Sequence, residues 1–324
     1  MSCPATTQSA RMPPPGPETG LSLVICTRDR PQILSRCLDS VRAQTEPADE
    51  IIVVDNASRD PLTRCLCAAA GVRYVREDRP GLDIARNTGI GAARGALIAM
   101  TDDDTIAQPD WLAQIRVAFE DARTDAVTGN VLPLKRDSFA ANLFETEWAL
   151  GRGDCPKLFA HEDFQAARKT GFEAWKIGAG ANMAFRAATF RRYGLFDPAL
   201  DVGAAGCSGD SELWYRILGQ GGRCLYHPAA VVRHEHRDTE DALKRQLKAY
   251  MRGHVAALRV QAQRFPDHGN YARIMVALPV WFGARVWRRL RHGRSPKTWF
   301  VFTELLGYAE GLVYPIGPRR RALI

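Results

Sequence analysis

Three consecutive aspartates, Asp102 to Asp104, follow the apolar run ALIAM at 96–100. Carboxylates this close together cannot all stay ionised without cost unless a cation lies among them. Oxygen ligands suit Mg²⁺ or Mn²⁺, and either ion would keep coordination positions open for the oxygens of a diphosphate. An aspartate-rich turn, or a helix cap ahead of Pro109, is the alternative interpretation of the same residues.

Polar residues follow three other apolar segments in the same part of the chain, at Thr27-Arg28-Asp29, at Asp55-Asn56 and at Glu77-Asp78. In a parallel sheet covered by helices, ligands bind just outside the carboxyl ends of the strands. If these segments are neighbouring strands, their polar residues and the three aspartates lie on one rim. Four strand ends that meet at one rim indicate a binding site more strongly than any one of them.

The elements that would position this rim alternate in type along the chain. Four runs are apolar on both faces, as buried parallel strands are, and the segments between them have the apolar spacing of helices. Right-handed βαβ units around a sheet covered on both sides are therefore predicted. The predicted strands cover 21–27, 50–55, 72–76 and 96–100, and the predicted helices cover 31–44, 60–70 and 84–95.

The chain is less regular beyond residue 132. Its recognisable segments are a helix at 143–150, the stretch GAGANMAFR at 178–186, a helix entered near Gly209, and short strands at 224–228 and 230–234. From Thr239 onward only helices are predicted.

Composition narrows the class of protein. With 324 residues, 46% apolar and 25% charged, the chain is predicted to be globular, apart from a disordered tail at 1–20 that is rich in Pro, Gly, Ser and Thr. The eight cysteines contain no Cys-x-x-Cys pair and no zinc-like spacing, and the tail has no apolar signal, so we expect reduced thiols and a cytoplasmic location. The turn at 26–31 contains no glycine, which argues against a nicotinamide dehydrogenase and a sugar nucleotidyltransferase.

Five segments of the chain resemble family 2 glycosyltransferases with the GT-A fold, in the family's order and spacing over roughly residues 20 to 240. They are TRDRP at 27–31, VVDNAS at 53–58, RPGLDIARNTGI at 79–90, TDDDT at 101–105 and SGDSELWYR at 208–216. The resemblance implies an α/β fold with a Rossmann-like, mixed, mostly parallel sheet. It also implies a nucleotide-sugar half at about 21–131 and an acceptor half at about 132–238, followed by a helical region at 239–324.

The resemblance assigns the nucleotide sugar, expected to be a UDP- or dTDP-sugar, to the first of these halves. Asp104 is expected to bind Mn²⁺ or Mg²⁺, with the neighbour that shares the metal left open, and His234 either completes the metal shell or is a surface histidine. Asp55 as a turn former and Arg86 as a solvated helix charge are the alternatives for those two residues. The residues expected to bind the donor are Thr27, Arg28, Asp55, Arg86, Asp102 and Asp103.

In the second half, Asp210 matches the aspartate of the family's Glu-Asp motif, which takes the proton of the acceptor hydroxyl; helix capping is the alternative, and both roles are compatible. This chain departs from the motif because Gly209 stands where many relatives have Glu, and Glu212 is a possible compensation. The residues expected at the acceptor are Gly180, Asn182, Glu212 and Trp214, with a plain tight turn as the alternative for the glycine segment.

The net positive charge of the chain is concentrated in its carboxyl-terminal segment. The segment 271–324 has ten Lys or Arg and two Glu, so it accounts for the whole net charge of +8. Trp and Arg alternate with aliphatic residues over 271–297, which indicates a surface that lies on an anionic membrane, on its cytoplasmic face. Helices that pack on the domain or on a second subunit are the alternative. The apolar stretch 298–317 contains Glu304 and Glu310, which makes crossing the bilayer costly.

The sequence as a whole predicts an inverting, metal-dependent glycosyltransferase that acts on a glycan or lipid-linked acceptor in cell-envelope synthesis. No nucleic-acid module accompanies the basic region, so no nucleic-acid partner is expected. The processive relatives' Gln-x-x-Arg-Trp motif does not follow Asp210, so single additions are expected. The rival hypotheses are a non-catalytic carbohydrate- or membrane-binding protein on a transferase scaffold and a sugar nucleotidyltransferase.

Overall fold

The computed structural model of the protein describes residues 20–265 and 268–317, so nearly all of the predicted tail lies outside the described residues. The described chain contains nine strands and twelve α-helices. The strands are β1 (Leu21–Thr27), β2 (Glu50–Asn56), β3 (Arg73–Glu77), β4 (Leu97–Asp102), β5 (Thr105–Ala107), β6 (Ala126–Pro133), β7 (Lys157–Phe159), β8 (Asn182–Arg186) and β9 (Cys224–His234).

Most helices alternate with strands as far as β9, and after β9 the described chain continues in helices. They are α1 (Pro31–Arg42), α2 (Leu62–Ala70), α3 (Leu82–Ala92), α4 (Trp111–Ala118), α5 (Phe139–Glu147), α6 (His161–Ala166), α7 (Ala187–Tyr193), α8 (Gly209–Gly219), α9 (Glu240–Arg264), α10 (Gly269–Ala272), α11 (Leu278–His292) and α12 (Val301–Val313). A π-helical segment, Arg273–Ala277, joins α10 to α11.

The strands form one mixed sheet in the order β3-β2-β1-β4-β8-β6-β9-β5, with β7 paired to β9. Its first four strands are parallel, with Ile25 opposite both Val53 of β2 and Thr101 of β4. Two apolar clusters cover the two faces of the sheet, as the runs apolar on both faces predict. Gly89 allows α3 to lie close to β1, because a Cβ atom there would be 2.4 Å from Val24 Cγ1. The predicted α/β fold with a mixed sheet is confirmed.

In the second half of the sheet, β8 runs against its neighbours: it is antiparallel to both β4 and β6. β9 then runs parallel to β6 and antiparallel to β5. The two short strands predicted at 224–228 and 230–234 are one strand, β9, because an irregularity in its pairing between Gly129 and Asn130 of β6 accommodates Pro228.

The carboxyl-terminal helices pack on the domain through α9. Gly307 and Gly311 of α12 lie against the α9 backbone, since Cβ atoms there would be 2.3 Å from Lys248 O and 2.7 Å from Arg252 O. Within residues 20–265 and 268–317, none of the helices combines the length and the apolar character that crossing a bilayer requires. As predicted, the described chain after Thr239 is helical and contains no strand.

Candidate functional site

The acidic end of β4 faces the end of β9. A short turn after Asp102 leads into β5, which pairs antiparallel with β9 so that Thr105 lies opposite His234. This pairing brings His234 Nε2 to 3.3 Å from Asp104 Oδ1. The ligand atoms of Asp102, Asp104 and His234 all lie within 4.8 Å of one another. The two residues predicted to bind metal are therefore neighbours, and Asp102 is the third member of the cluster.

The donor set and its surroundings fit a divalent cation. Within the described part of the chain, Asp104 Oδ1 is buried and, apart from the nearby His234 Nε2, has no hydrogen-bond partner. Burial works to raise the pKa of Asp104, but the nearby His234 and the Arg30 guanidinium hold it below its ordinary value, so the group is a carboxylate. Carboxylate oxygens suit Mg²⁺ and Mn²⁺, and the imidazole nitrogen favours a transition metal.

Asp103 points away from this cluster and into the protein. Its Oδ2 accepts a hydrogen bond from the Thr27 hydroxyl at 2.6 Å, and its Oδ1 lies 2.5 Å from an Arg30 nitrogen. Burial raises the pKa of Asp103 to about 7. The predicted donor ligands Thr27 and Asp103 thus bind each other and connect the ends of β1 and β4. Arg28 is half-exposed, and its side chain lies 3.9 Å from Asp29.

Arg30 is a site residue that the sequence interpretation missed. It stands at the amino-terminal cap of α1, and its guanidinium also lies 3.1 Å from Asp104 Oδ2. Asp29, with a left-handed backbone at φ 55°, turns the chain between Arg28 and Arg30. The segment TRDRP contains both arginines, and Pro31 marks the start of the helix. The helix start alone does not reveal which of the two arginines lies against the acidic cluster.

Asp55 lies at the end of β2 and is 1% exposed. Its carboxylate accepts hydrogen bonds from the Ser58 backbone N–H at 3.0 Å, the Tyr74 hydroxyl at 2.8 Å and Arg76 Nη1 at 3.0 Å. Both Tyr74 and Arg76 lie on β3, and neither was predicted as a site residue. The expected contact of Asp55 with the donor would have to share a carboxylate that already has three partners.

Arg86 connects the first half of the sheet to the second. It is buried on α3, and one nitrogen, Nη2, lies 3.3 Å from Asp102 Oδ1 and 3.4 Å from Gly180 O. A Cβ atom on Gly180 would lie 2.9 Å from both Arg86 Nη2 and Asp210 Oδ2. Four predicted site residues, Asp102, Arg86, Gly180 and Asp210, are therefore contiguous. Asp210 lies in the first turn of α8 and is partly exposed at this rim.

Three residues predicted at the acceptor lie in the core, and their expected contacts with an acceptor stay predictions. Asn182 is fully buried: it accepts a hydrogen bond from Trp111 Nε1 and donates to Asn130 O and Ala230 O. It therefore faces the interior of the sheet and not the rim.

Glu212 and Trp214 are also fully buried. The Glu212 carboxylate lies 2.8 Å from Arg216 and 2.9 Å from Arg264, on the side of α8 away from the rim, and Trp214 packs in the apolar core. Because α8 is buried on nearly all sides, only Asp210 and Ser211 of this helix are partly exposed, and the Glu212 carboxylate is paired in the interior and not at the rim.

Comparisons with known proteins identify the family of the chain. The family model described as Glycosyl transferase family 2 matches residues 22–194, just over half of the chain. The chain is 28% identical over 232 residues to the glucosyl-dolichyl phosphate glucuronosyltransferase of Haloferax volcanii, covering 66% of this chain and 69% of the relative. It is 26% identical over 265 residues to the pre-mycofactocin glycosyltransferase of Mycobacterium tuberculosis, covering 79% of this chain but only half, 50%, of that relative.

A solved structure shows the same fold. The mannosyltransferase PcManGT from Pyrobaculum calidifontis, in complex with GDP-Man and Mn²⁺, is similar to this chain with a TM-score of 0.60 and 16% sequence identity. The similarity covers 96% of this chain and 91% of the mannosyltransferase. The GT-A architecture is thereby confirmed.

Proposed function

Because the chain belongs to glycosyl transferase family 2, we propose that it transfers a sugar from a nucleoside diphosphate sugar to an acceptor hydroxyl, with inversion at the anomeric carbon. The observation that carries the proposal is the cluster of Asp102, Asp104 and His234, with Arg86 at one side and Asp210 beyond it. The cation site and the buried guanidinium match the leaving diphosphate of such a transfer, and the carboxylate beyond them matches the attacking hydroxyl.

Each residue in this row has a distinct proposed task. Asp104 and His234 hold the metal, Mn²⁺ or Mg²⁺, with Asp102 beside them, and a bound metal would neutralise the charge of the diphosphate leaving group. Arg86 donates hydrogen bonds to the same diphosphate, for which guanidinium geometry is suited. Asp210 takes the proton from the acceptor hydroxyl. At the same time the hydroxyl oxygen attacks the anomeric carbon from the face opposite the diphosphate.

The donor and the acceptor are proposed by class. A UDP- or dTDP-sugar is the proposed donor, with the ends of β1 and β2 as its nucleoside site. The name of the Haloferax relative specifies a lipid-linked substrate, a glucosyl-dolichyl phosphate. We extend that class to this chain and propose a lipid-linked or glycan acceptor, one sugar being added per acceptor, in cell-envelope synthesis.

Calorimetric titration with UDP, with and without Mn²⁺, tests the donor site, and a screen of nucleotide sugars for hydrolysis or transfer tests the reaction. The Asp104→Asn variant should lose Mn²⁺-dependent UDP binding and reduce transfer by roughly 10²–10³-fold, as the removal of a key electrostatic group does. Asp154→Asn, in an exposed loop, is the matched control and should behave as the unmodified protein does.

Three results would count against the proposal or its scope. Unchanged metal-dependent binding by Asp104→Asn would remove this aspartate from the metal site. Binding of UDP without transfer or hydrolysis of any sugar nucleotide would favour the non-catalytic binding protein. Release of pyrophosphate from a sugar phosphate and UTP would favour the nucleotidyltransferase.

A membrane surface is proposed as a partner of the carboxyl-terminal helices. Four exposed apolar side chains follow one stripe of the π-helical segment and α11, at the helical positions i, i+4, i+11 and i+14: Val276, Val280, Trp287 and Leu290. The exposed cations Arg288, Arg291 and Arg294 flank the stripe. Apolar side chains beside arginines suit the headgroup layer of an anionic bilayer, on the cytoplasmic face of the membrane.

Binding to vesicles tests this partner. Sedimentation with phosphatidylglycerol-containing vesicles should exceed sedimentation with phosphatidylcholine vesicles and should weaken with added salt. Trp287→Ser together with Leu290→Ser should reduce it, whereas Val117→Ser, which changes an exposed valine on α4, should not. Equal binding by all variants would contradict the proposal, and a dimer that dissociates in the double variant would favour a second subunit as the partner.

A further inference from the structure

The start of α8 has an acidic neighbour from another part of the chain. A Cβ atom on Gly209 would lie 1.8 Å from Asp83 Oδ2 and 2.6 Å from Asp83 Cγ. Real Cβ atoms do not approach other atoms so closely, so position 209 cannot carry a side chain while Asp83 keeps its place. Asp83 is 2% exposed and therefore has little freedom to move aside.

Asp83 is held in this position by its own helix. It lies in the first turn of α3, where the backbone N–H groups of Leu82, Asp83 and Ile84 donate hydrogen bonds to the carboxylate of Asp201. Asp201 therefore satisfies the free amides at the start of α3. The Asp83 carboxylate is not needed as a cap and is directed toward α8.

The other oxygen of Asp83 contacts the central cation of the site. Arg86 Nη1 donates to Asp83 Oδ1 at 3.1 Å, while Arg86 Nη2 faces Asp102 and Gly180 O. The guanidinium is thus fixed from both ends, by Asp83 on its own helix and by Asp102 at the end of β4. Since Arg86 is 7% exposed, these contacts determine its direction.

The pKa of Asp83 is raised to about 7, mainly by burial; Arg86 lowers it, and the nearby carboxylates of Asp201 and Asp210 contribute to the rise. A carboxyl group with two acidic neighbours is a costly choice for a buried position. That cost is consistent with a role in the site, because the packing of α3 alone does not require an acid there.

We propose that Asp83 is a positioning residue that supplies, from α3, the carboxylate that position 209 lacks, and that it orients Arg86 between Asp102 and Asp210. The inference rests on the proposed function, in which Arg86 faces the leaving diphosphate and Asp210 takes the acceptor proton. It also explains why glycine begins α8: Asp83 and a side chain at position 209 exclude each other.

A carboxylate swap between the two positions tests this inference. Asp83→Ala should lower kcat roughly tenfold to 100-fold, the range for losing one charge-assisted hydrogen bond, while the KM for the acceptor changes little. Gly209→Glu alone should be destabilised and inactive because its side chain collides with Asp83. The double variant Asp83→Ala with Gly209→Glu should regain at least tenfold in kcat over the Gly209→Glu single variant and exceed Asp83→Ala.

The swap separates this inference from the proposed function. If the unmodified protein binds no nucleoside diphosphate and transfers no sugar, the proposed function fails before any variant is made. If the unmodified protein is active and Asp83→Ala keeps full kcat, the positioning role is wrong. A double variant that melts at the temperature of the unmodified protein but remains no more active than either single variant would also overturn it.

Discussion

Strand ends form the first half of the rim, and the start of helix α8 contributes to the second half. The sequence predicts the first half better than the second. In the first half, residues 21–131, the polar residues at the ends of β1 and β4 lie against one another, as Thr27 with Asp103 does. In the second half, residues 132–238, Asp210 lies at the rim while Glu212, two positions later, is fully buried. Residues that follow a strand end in the first half therefore lie together at the rim, whereas residues two positions apart on α8 in the second half do not.

Geometry explains the difference. Parallel strands end at one edge of the sheet, so a residue that directly follows such a strand is at that edge whatever the rest of the chain does. A helix turns by about 100° per residue, so residues two apart point to nearly opposite sides. In α8 only Asp210 and Ser211 are partly exposed. Whether each residue of this helix faces the rim or the core is decided by what packs against it.

Replacing Asp210 with Asn tests the single acceptor-half carboxylate that we assign to the chemistry. Asn keeps the shape of the side chain but removes the proton acceptor, so transfer should fall by roughly 10²–10⁴-fold. Binding of UDP with Mn²⁺, measured by calorimetry, should be retained because Asp210 lies outside the metal cluster. Initial rates of transfer on purified protein provide the measurement.

Asp154→Asn serves again as the control for a lost exposed carboxylate. An Asp210→Asn variant with normal rates would mean that the base lies elsewhere, and the second half of the rim would then have no assigned catalytic group.

Replacing Glu212 with Gln tests whether the buried side of α8 is structural. The change leaves Arg216 and Arg264 facing a neutral group, and breaking a buried ion pair typically destabilises by about 3–5 kcal/mol. Transfer per folded molecule, at a temperature below the new melting point, should remain normal. Denaturant unfolding gives the stability, with exposed Glu120→Gln as the control. A large loss of kcat in a stable variant would return Glu212 to the acceptor site.

Much of the fold was accessible from the sequence because hydrophobic pattern and chain direction determine it. The predicted strands at 21–27 and 50–55 match β1 and β2 to within one residue. Residues 224–234 were harder, because Pro228 normally interrupts a strand, and only the irregular pairing with β6 allows β9 to continue through it.

The site was accessible only in part because several of its contacts join distant segments. The metal pair of Asp104 and His234 was predicted through the resemblance, and the β5–β9 pairing that joins them is visible only in the structure. Arg30 and Asp83 were missed for a related reason. Each acts on a group from another element, Arg30 on the end of β4 and Asp83 on the start of α8, and no local pattern marks such a contact.

Replacing Asn182 with Ala provides the finest test of the boundary between the rim and the core. In the structure the Asn182 side chain satisfies Trp111 Nε1 and two backbone carbonyls, all buried. Losing it leaves those groups without a partner, so the free energy of unfolding should fall by about 1–3 kcal/mol. The KM for the acceptor should not change, because the side chain does not reach the rim. Asn142→Ala on the exposed face of α5 removes only exposed hydrogen bonds, to Arg136 O and Ser138 O, and should therefore cost less than Asn182→Ala. If the KM for the acceptor rises in Asn182→Ala while stability is preserved, the Asn182 side chain contacts the acceptor, and β8 is part of the acceptor site.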